Sequence, residues 1–318
     1  MSNLRKNIKV AASTFFSTIA VVGLAFFFLN NNKNTSEKSR FTSVTTTDTT
    51  HSQDRALPQQ ALAIKLPTYL SFAGEDVPLD NFDTRERLDR ELLIASYQHS
   101  ATIGEIKLAQ RYFPVIEPIL ARMGVPDDFK YLAVAESSLR HASSPAGAKG
   151  IWQFMESAAK QYNLVINDEV DERYHIQKAT EAACRYLIEC RNDLGSWTLA
   201  AAAYNMGKVG VKNKLAEQKE NNYYDMMLNA ETDRYVFRIL AEKSVIESPE
   251  KYGFYVFPED YYPPFATRTI SVDNEISSLA DFAHQQGTTY RMLKVYNPWL
   301  RNTALHNRER HTYNIELP

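Results

Sequence analysis

Between Lys130 and Arg140 the chain carries a single acidic or basic side chain, Glu136. Phe129, Leu132, Ala133 and Glu136 recur at i, i+3, i+4 and i+7, and Tyr131, Val134, Ala135 and Leu139 cover the adjacent face. The spacing therefore predicts a helix over 127–138 that is apolar nearly all round. A carboxyl near the C-terminal end of such a helix loses hydration and meets the negative end of the helix dipole. Both effects disfavour the ionised form and raise the pKa, as a general acid requires. The same pattern also fits a glutamate that simply marks where the helix emerges into solvent, and periodicity alone does not separate the two.

Other segments carry polar groups that could work beside it. Ser137 and Ser138 follow Glu136 directly, and a glycine-bearing run, Ser144-Pro145-Ala146-Gly147-Ala148-Lys149-Gly150-Ile151-Trp152-Gln153-Phe154, comes next. Further on are Ala203-Tyr204-Asn205-Met206-Gly207 and Glu231-Thr232-Asp233-Arg234-Tyr235-Val236. Gly147 and Gly150 let the backbone turn tightly and approach a ligand, although a plain turn between helices reads the same way. Glu231 and Tyr235, four apart, share one helical face.

The elements that must position these groups read as helices. Loose helical periodicity runs over 81–98, and a second pattern spans 103–123 with Pro114 and Pro118 interrupting it. Gly124-Val125-Pro126-Asp127-Asp128 supplies a stop followed by a start, with acids where the dipole favours them. Ala179, Ala182, Ala183, Tyr186, Leu187, Cys190 and Leu194 form one stripe of a helix over 178–194, and further helices are expected at 196–204 and 232–247. Cys184 and Cys190 lie about 10 Å apart on that stripe-bearing helix, too far for a disulfide, and read as free thiols.

The order and spacing of the four chemical segments resemble the family 1 lytic transglycosylases, most closely the membrane-bound lytic transglycosylase D group, over a motif core at 111–254. Flanking stretches such as Tyr112-Phe113-Pro114-Val115-Ile116-Glu117, Asp171-Glu172-Arg173 and Pro249-Glu250-Lys251-Tyr252-Gly253 belong to the likeness. The resemblance implies a mainly α chain with a goose-lysozyme-like helical catalytic domain. It implies Glu136 as the sole catalytic carboxylate, acting on the bond between N-acetylmuramic acid and N-acetylglucosamine and leaving a 1,6-anhydro end. Ser137, Ser144, Gln153, Tyr204, Asn205, Glu231 and Tyr235 are the implied substrate-binding set. Neither a metal nor a cofactor is called for. The sequence departs from the pattern at Glu156, where proline is common, outside the chemical motifs. A lysozyme-like hydrolase giving reducing ends and a non-catalytic glycan-binding protein are the competing readings.

After Tyr261-Tyr262-Pro263-Pro264 the segment 267–318 resembles a LysM module of strand, two helices and strand. Asp273-Asn274 replaces its usual glycine-aspartate and a glycine near the last strand is missing, so glycan binding and a structural cap both remain open.

Composition bounds the remainder. The 318 residues are 44% apolar, with 36 Lys and Arg against 38 Asp and Glu, which excludes wholesale disorder and a polybasic nucleic-acid binder. Two cysteines and scattered histidines exclude iron–sulfur and four-cysteine zinc sites. Val10 to Leu29 is uncharged and follows Arg5, Lys6 and Lys9; as a helix it would span roughly 30 Å, enough to cross a bilayer. We expect 1–29 to be a cytoplasmic stub and inner-membrane anchor, with a cleaved signal leaving a soluble periplasmic protein as the alternative. Residues 30–56 read as a polar disordered linker, 57–258 as the helical catalytic domain in the periplasm, and peptidoglycan strands as the partner.

Overall fold

The computed structural model describes residues 62–318, so the expected anchor at 10–29 and the whole of the polar linker expected at 30–56 lie outside the described residues. Among the described residues no helix is long and apolar enough to cross a membrane.

The chain begins with a short antiparallel ribbon, β1 (Ser71–Phe72) and β2 (Glu75–Asp76), then enters α1 (Phe82–Tyr97) and α2 (His99–Met123). Asn81 caps α1 by accepting from the Asp83 amide. The expected interruption of the second helix does not occur, since α2 runs unbroken through Pro114 and Pro118. Both prolines are exposed, while Phe113, Ile116, Ile119 and Leu120 are buried; the inward face packs, and the lost backbone bonds fall towards solvent. Gly124, at φ 72°, ends α2.

The helix expected over 127–138 is a 3-10 turn at Asp127–Phe129 that tightens into α3 (Lys130–Ser137). Its starting acids are paired, Asp127 with Lys130 at 2.5 Å and Asp128 with Lys243 at 2.8 Å. There follow α4 (Glu156–Gln161), α5 (Ile176–Leu194), α6 (Trp197–Met206), α7 (Lys208–Gln218) and α8 (Ala230–Glu247). Cys184 and Cys190 are free and buried on α5. Glu75 reaches the start of α6 and accepts from the amides of Trp197 (2.6 Å) and Thr198 (2.9 Å), where the helix dipole favours a carboxylate. One core of Leu88, Leu92, Ile116, Leu120, Leu132, Trp152, Leu187, Phe237 and Leu240 joins these helices.

The tail follows the expected order: β3 (Arg268–Val272), α9 (Leu279–Gln285), α10 (Tyr290–Tyr296) and β4 (Tyr313–Leu317), with β3 antiparallel to β4. Its core is not entirely its own. Val170 and Tyr174, from the strap that leads into α5, are buried among Leu279, Leu293, Trp299, Leu305 and Ile315. The Asp171 amide donates to Trp299 O (2.9 Å), the Arg301 amide donates to Glu169 O (2.7 Å), and the His306 amide donates to the Glu169 carboxylate (3.1 Å). Residues 63–318 accordingly form one compact unit.

Candidate active site

Glu136 stands on the last turn of α3. The helix ends because Ser138 and Leu139 both take left-handed backbone, at φ 52° and 56°, a costly conformation for residues with a Cβ. Its neighbours come from α8 and α6. Tyr235, buried on α8, donates its hydroxyl to Glu136 Oε1. Burial and the adjoining Glu136 charge push the Tyr235 phenol well above its ordinary pKa, and Tyr204 on α6 is raised in the same way, so both stay protonated. Glu136 is partly open to the surface as a residue, yet its carboxyl is desolvated, and its pKa is pushed up to about 7. Burial is the main cause; the Glu231 charge works in the same direction, and the Tyr235 hydrogen bond and the Arg238 charge oppose it. Near neutral pH such a group holds a proton it can give and take back.

The expected polar contacts fall into two groups. Glu231 and Tyr204 lie close enough to interact with the Glu136 charge, and Ser137, Glu231, Asn205 and Tyr204 are fastened to one another or to the backbone. Ser137 Oγ lies 2.8 Å from Ile151 O, and Tyr204 donates its hydroxyl to Trp152 O at 2.8 Å. The Asn205 amide donates to Glu231 (3.3 Å) and accepts from Thr232 Oγ1 (2.8 Å), which ties the end of α6 to the start of α8. Ser144 and Gln153, expected to face a ligand, instead spend their polar groups on their own loop. Ser144 Oγ accepts from the Ala148 amide (3.0 Å), and Gln153 Nε2 donates to Gly150 O (2.7 Å) and Ala142 O (3.2 Å). A short polar side chain inside a tight turn satisfies the nearest backbone first.

That loop is braced from behind. Arg173, buried at 3% exposure, pairs with Asp171 through Nε (2.9 Å) and Nη2 (2.8 Å), and its Nη1 donates to Gly147 O at 3.2 Å. Gly150, at φ 81°, lies so close that a Cβ there would stand 1.9 Å from Arg173 O, so the close approach foreseen for this glycine is to protein backbone. Trp152 is fully buried and donates its indole N–H to Thr180 Oγ1 at 2.8 Å.

Sequence reasoning passes over a second layer on α8. Arg238 is one turn beyond Tyr235, and Glu242 one turn beyond that. Glu242 is almost fully buried and bonded to Glu105 of α2, and Glu91 of α1 grips Arg234 at 2.6 and 3.1 Å. The 3.6-residue spacing from Tyr235 was the available signal, but acids on a helix read by default as a solvated face. Among the described residues no group of His, Cys, Asp and Glu is arranged to hold a metal.

Residues 114–227 match the family model described as the transglycosylase SLT domain, and residues 268–318 match that of the soluble lytic transglycosylase C-terminal LysM-like domain. Two curated proteins, the membrane-bound lytic murein transglycosylase D of Escherichia coli strain K12 and that of Escherichia coli O6:H1, are each 27% identical over 244 residues, covering 74% of this chain and 52% of the relative. The chain thus spans about half the length of the curated relatives it matches. The α8 segment with Glu231 and Tyr235 lies beyond the matched SLT stretch.

Proposed function

We propose that this chain, which carries an SLT transglycosylase domain followed by a LysM-like C-terminal domain, is a peptidoglycan lytic transglycosylase whose single acid–base group is Glu136. The observation that carries the reading is one desolvated carboxyl, raised to about 7, held by a protonated tyrosine at the junction of α3, α6 and α8. In the first step Glu136 gives its proton to the glycosidic oxygen between the muramic acid and glucosamine units as the C1–O bond breaks. The muramic 2-acetamido oxygen supports the electron-poor C1. In the second step the Glu136 carboxylate takes the proton of the C6 hydroxyl, whose oxygen bonds to C1. The anhydro end forms and Glu136 regains its starting state, so no water and no second catalytic carboxylate are consumed. Tyr235 donates to the carboxylate form, which stabilises Glu136 between the two steps.

A hydrolase would need a second carboxylate to activate water. Glu231 is the acid whose charge acts on Glu136, but it is exposed and engaged by Asn205, which favours an orienting role. Mass analysis of products from purified sacculi decides between the readings. Anhydro ends, lighter by one water than reducing ends, are expected. Reducing ends would make the protein a hydrolase, and no cleavage by folded protein would make it a glycan binder. We place the enzyme on the periplasmic side of the inner membrane, held by the apolar segment 10–29.

A further inference from the structure

Asn229, the cap of α8, spends its side-chain oxygen on the start of the helix, where it accepts from the amides of Glu231 (3.1 Å) and Thr232 (3.0 Å). Backbone amides only donate, so the other end of the Asn229 side chain is its NH2 group, which donates to Thr232 Oγ1 at 2.9 Å. A hydroxyl has one hydrogen to give. That of Thr232 goes to Asn205 Oδ1, 2.8 Å away near the end of α6. The Asn205 NH2 group is thereby turned the other way, to Glu231 at 3.3 Å, where a carboxylate can only accept. Both ends of the Asn205 amide are assigned by partners that leave no choice, and the direction originates in the backbone of α8. Thr232 is itself 1% exposed, and the Tyr223 hydroxyl donates to its carbonyl oxygen at 2.8 Å. Three residues further along the same face of the helix, Tyr235 donates to Glu136. Asn205 and Glu136, from two other helices, are therefore held on neighbouring turns of α8, at points about 4.5 Å apart along its axis.

We propose that Thr232 is a positioning residue which, directed by Asn229, holds Asn205 so that its amide presents an N–H to the glycan and meets an acceptor oxygen on the sugar bound beside Glu136. Among the described residues one N–H of Asn205 has no partner. An amide is nearly symmetric in shape, so an unheld asparagine would turn over and set its own oxygen against that of the sugar. The contact would change from a hydrogen bond to a repulsion between lone pairs. The buried Thr232 hydroxyl acts through Asn205 and does not itself meet the substrate. The inference rests on the transglycosylase reading of Glu136.

The test is a double-mutant cycle on the full chain, scored as kcat/KM for anhydro-end formation from soluble glycan strands, with melting followed alongside. Thr232→Val keeps the shape and removes the hydroxyl, and kcat/KM should fall about 10-fold. Thr232→Ser should recover to within about 2-fold of the wild type. Asn229→Asp keeps the cap, but its second oxygen only accepts, which draws the Thr232 hydrogen away from Asn205. It should lose activity much as Thr232→Val does without melting lower, an outcome that a merely structural threonine would not give. In an Asn205→Ala background each of the two substitutions should add less than about 2-fold. Full activity in folded Thr232→Val or Asn229→Asp, or equal losses with Asn205 present and absent, overturns the proposal and leaves the transglycosylase reading intact. Reducing ends in place of anhydro ends from the unaltered chain would overturn that reading instead. Should Thr232→Val not fold, Asn229→Asp carries the cycle by itself. Should Asn205→Ala be too slow to follow, the same cycle is read as the Kd for soluble strands in a Glu136→Gln background, with the same outcomes.

Discussion

The proposed chemistry rests on making one carboxyl reluctant to ionise, and that reluctance is also a stability effect. The Glu136 pKa rises from an ordinary 4.5 to about 7 in the folded chain. Between those values the folded state holds a proton that the unfolded state has released, so stability falls as pH rises from about 4.5 to about 7 and then levels. The cost is at most about 3 kcal/mol. Glu136→Gln keeps the shape and has no such cost. Its activity should fall by about 10³-fold or more. Thermal melts should place it at or above the wild type at pH 7, with the difference shrinking towards pH 4.5. A folded Glu136→Gln that still makes anhydro ends would remove the assignment, and a variant that melts well below the wild type at pH 7 would show that the carboxyl is a structural anchor.

At the scale of elements, the loop over 142–154 is held by contacts behind it more than by its own turns. Gly150 and Gly147 separate the two contributions. Both have positive φ, at 81° and 91°, but only Gly150 is pressed against Arg173 O, while nothing lies within 4 Å of a Cβ at Gly147. Gly147→Ala should cost about 1 kcal/mol, the strain of the left-handed backbone alone. Gly150→Ala should exceed about 3 kcal/mol in denaturant titration, because backbone must move to admit the methyl group. The displaced loop would draw Trp152 O away from Tyr204, so activity should fall with it. Equal costs for the two variants would mean that the strap does not brace the loop.

For the whole molecule, the C-terminal module and the strap around Val170 share one core, and removing 268–318 would bare Val170 and Tyr174. The truncated protein should melt lower and lose activity on soluble and insoluble glycan alike. Weaker retention on insoluble walls with unchanged melting would instead mark an independent binding module. Two imidazoles on the seam beside the module make it sensitive to acid. His175, stacked on Trp299, and His141 are both lowered to about 4, chiefly by burial. Below about pH 6.5 the unfolded chain takes up protons that the folded one refuses until about pH 4, so stability should decline through that window, against the Glu136 trend. His175→Gln should flatten the decline in a melting series across pH. At the other end, the apolar segment 10–29 predicts that the full-length chain stays with membranes after high-salt and alkaline washing; release as a chain shortened by about 25 residues would indicate signal cleavage.

Local patterns carried much of this in advance, because helices repeat every 3.6 residues and caps and breakers act within a turn or two of themselves. The strand–helix–helix–strand order of the tail is implied by its resemblance to a LysM module, whereas the helix under Glu136 and the stripe of α5 follow from neighbours in sequence. So does the isolation of Glu136 as an acid on an apolar helix. Whether that acid is desolvated does not follow, since it depends on α6 and α8 closing over it from about 70 and 100 residues away. Nor do the inward turn of Ser144 and Gln153, the unbroken course of α2 past two prolines, the pairing of Glu105 with Glu242, or the insertion of Val170 into the tail's core. In each case a short-range preference competes with burial against a distant partner, and only the tertiary structure, where desolvation and packing act together, decides which prevails.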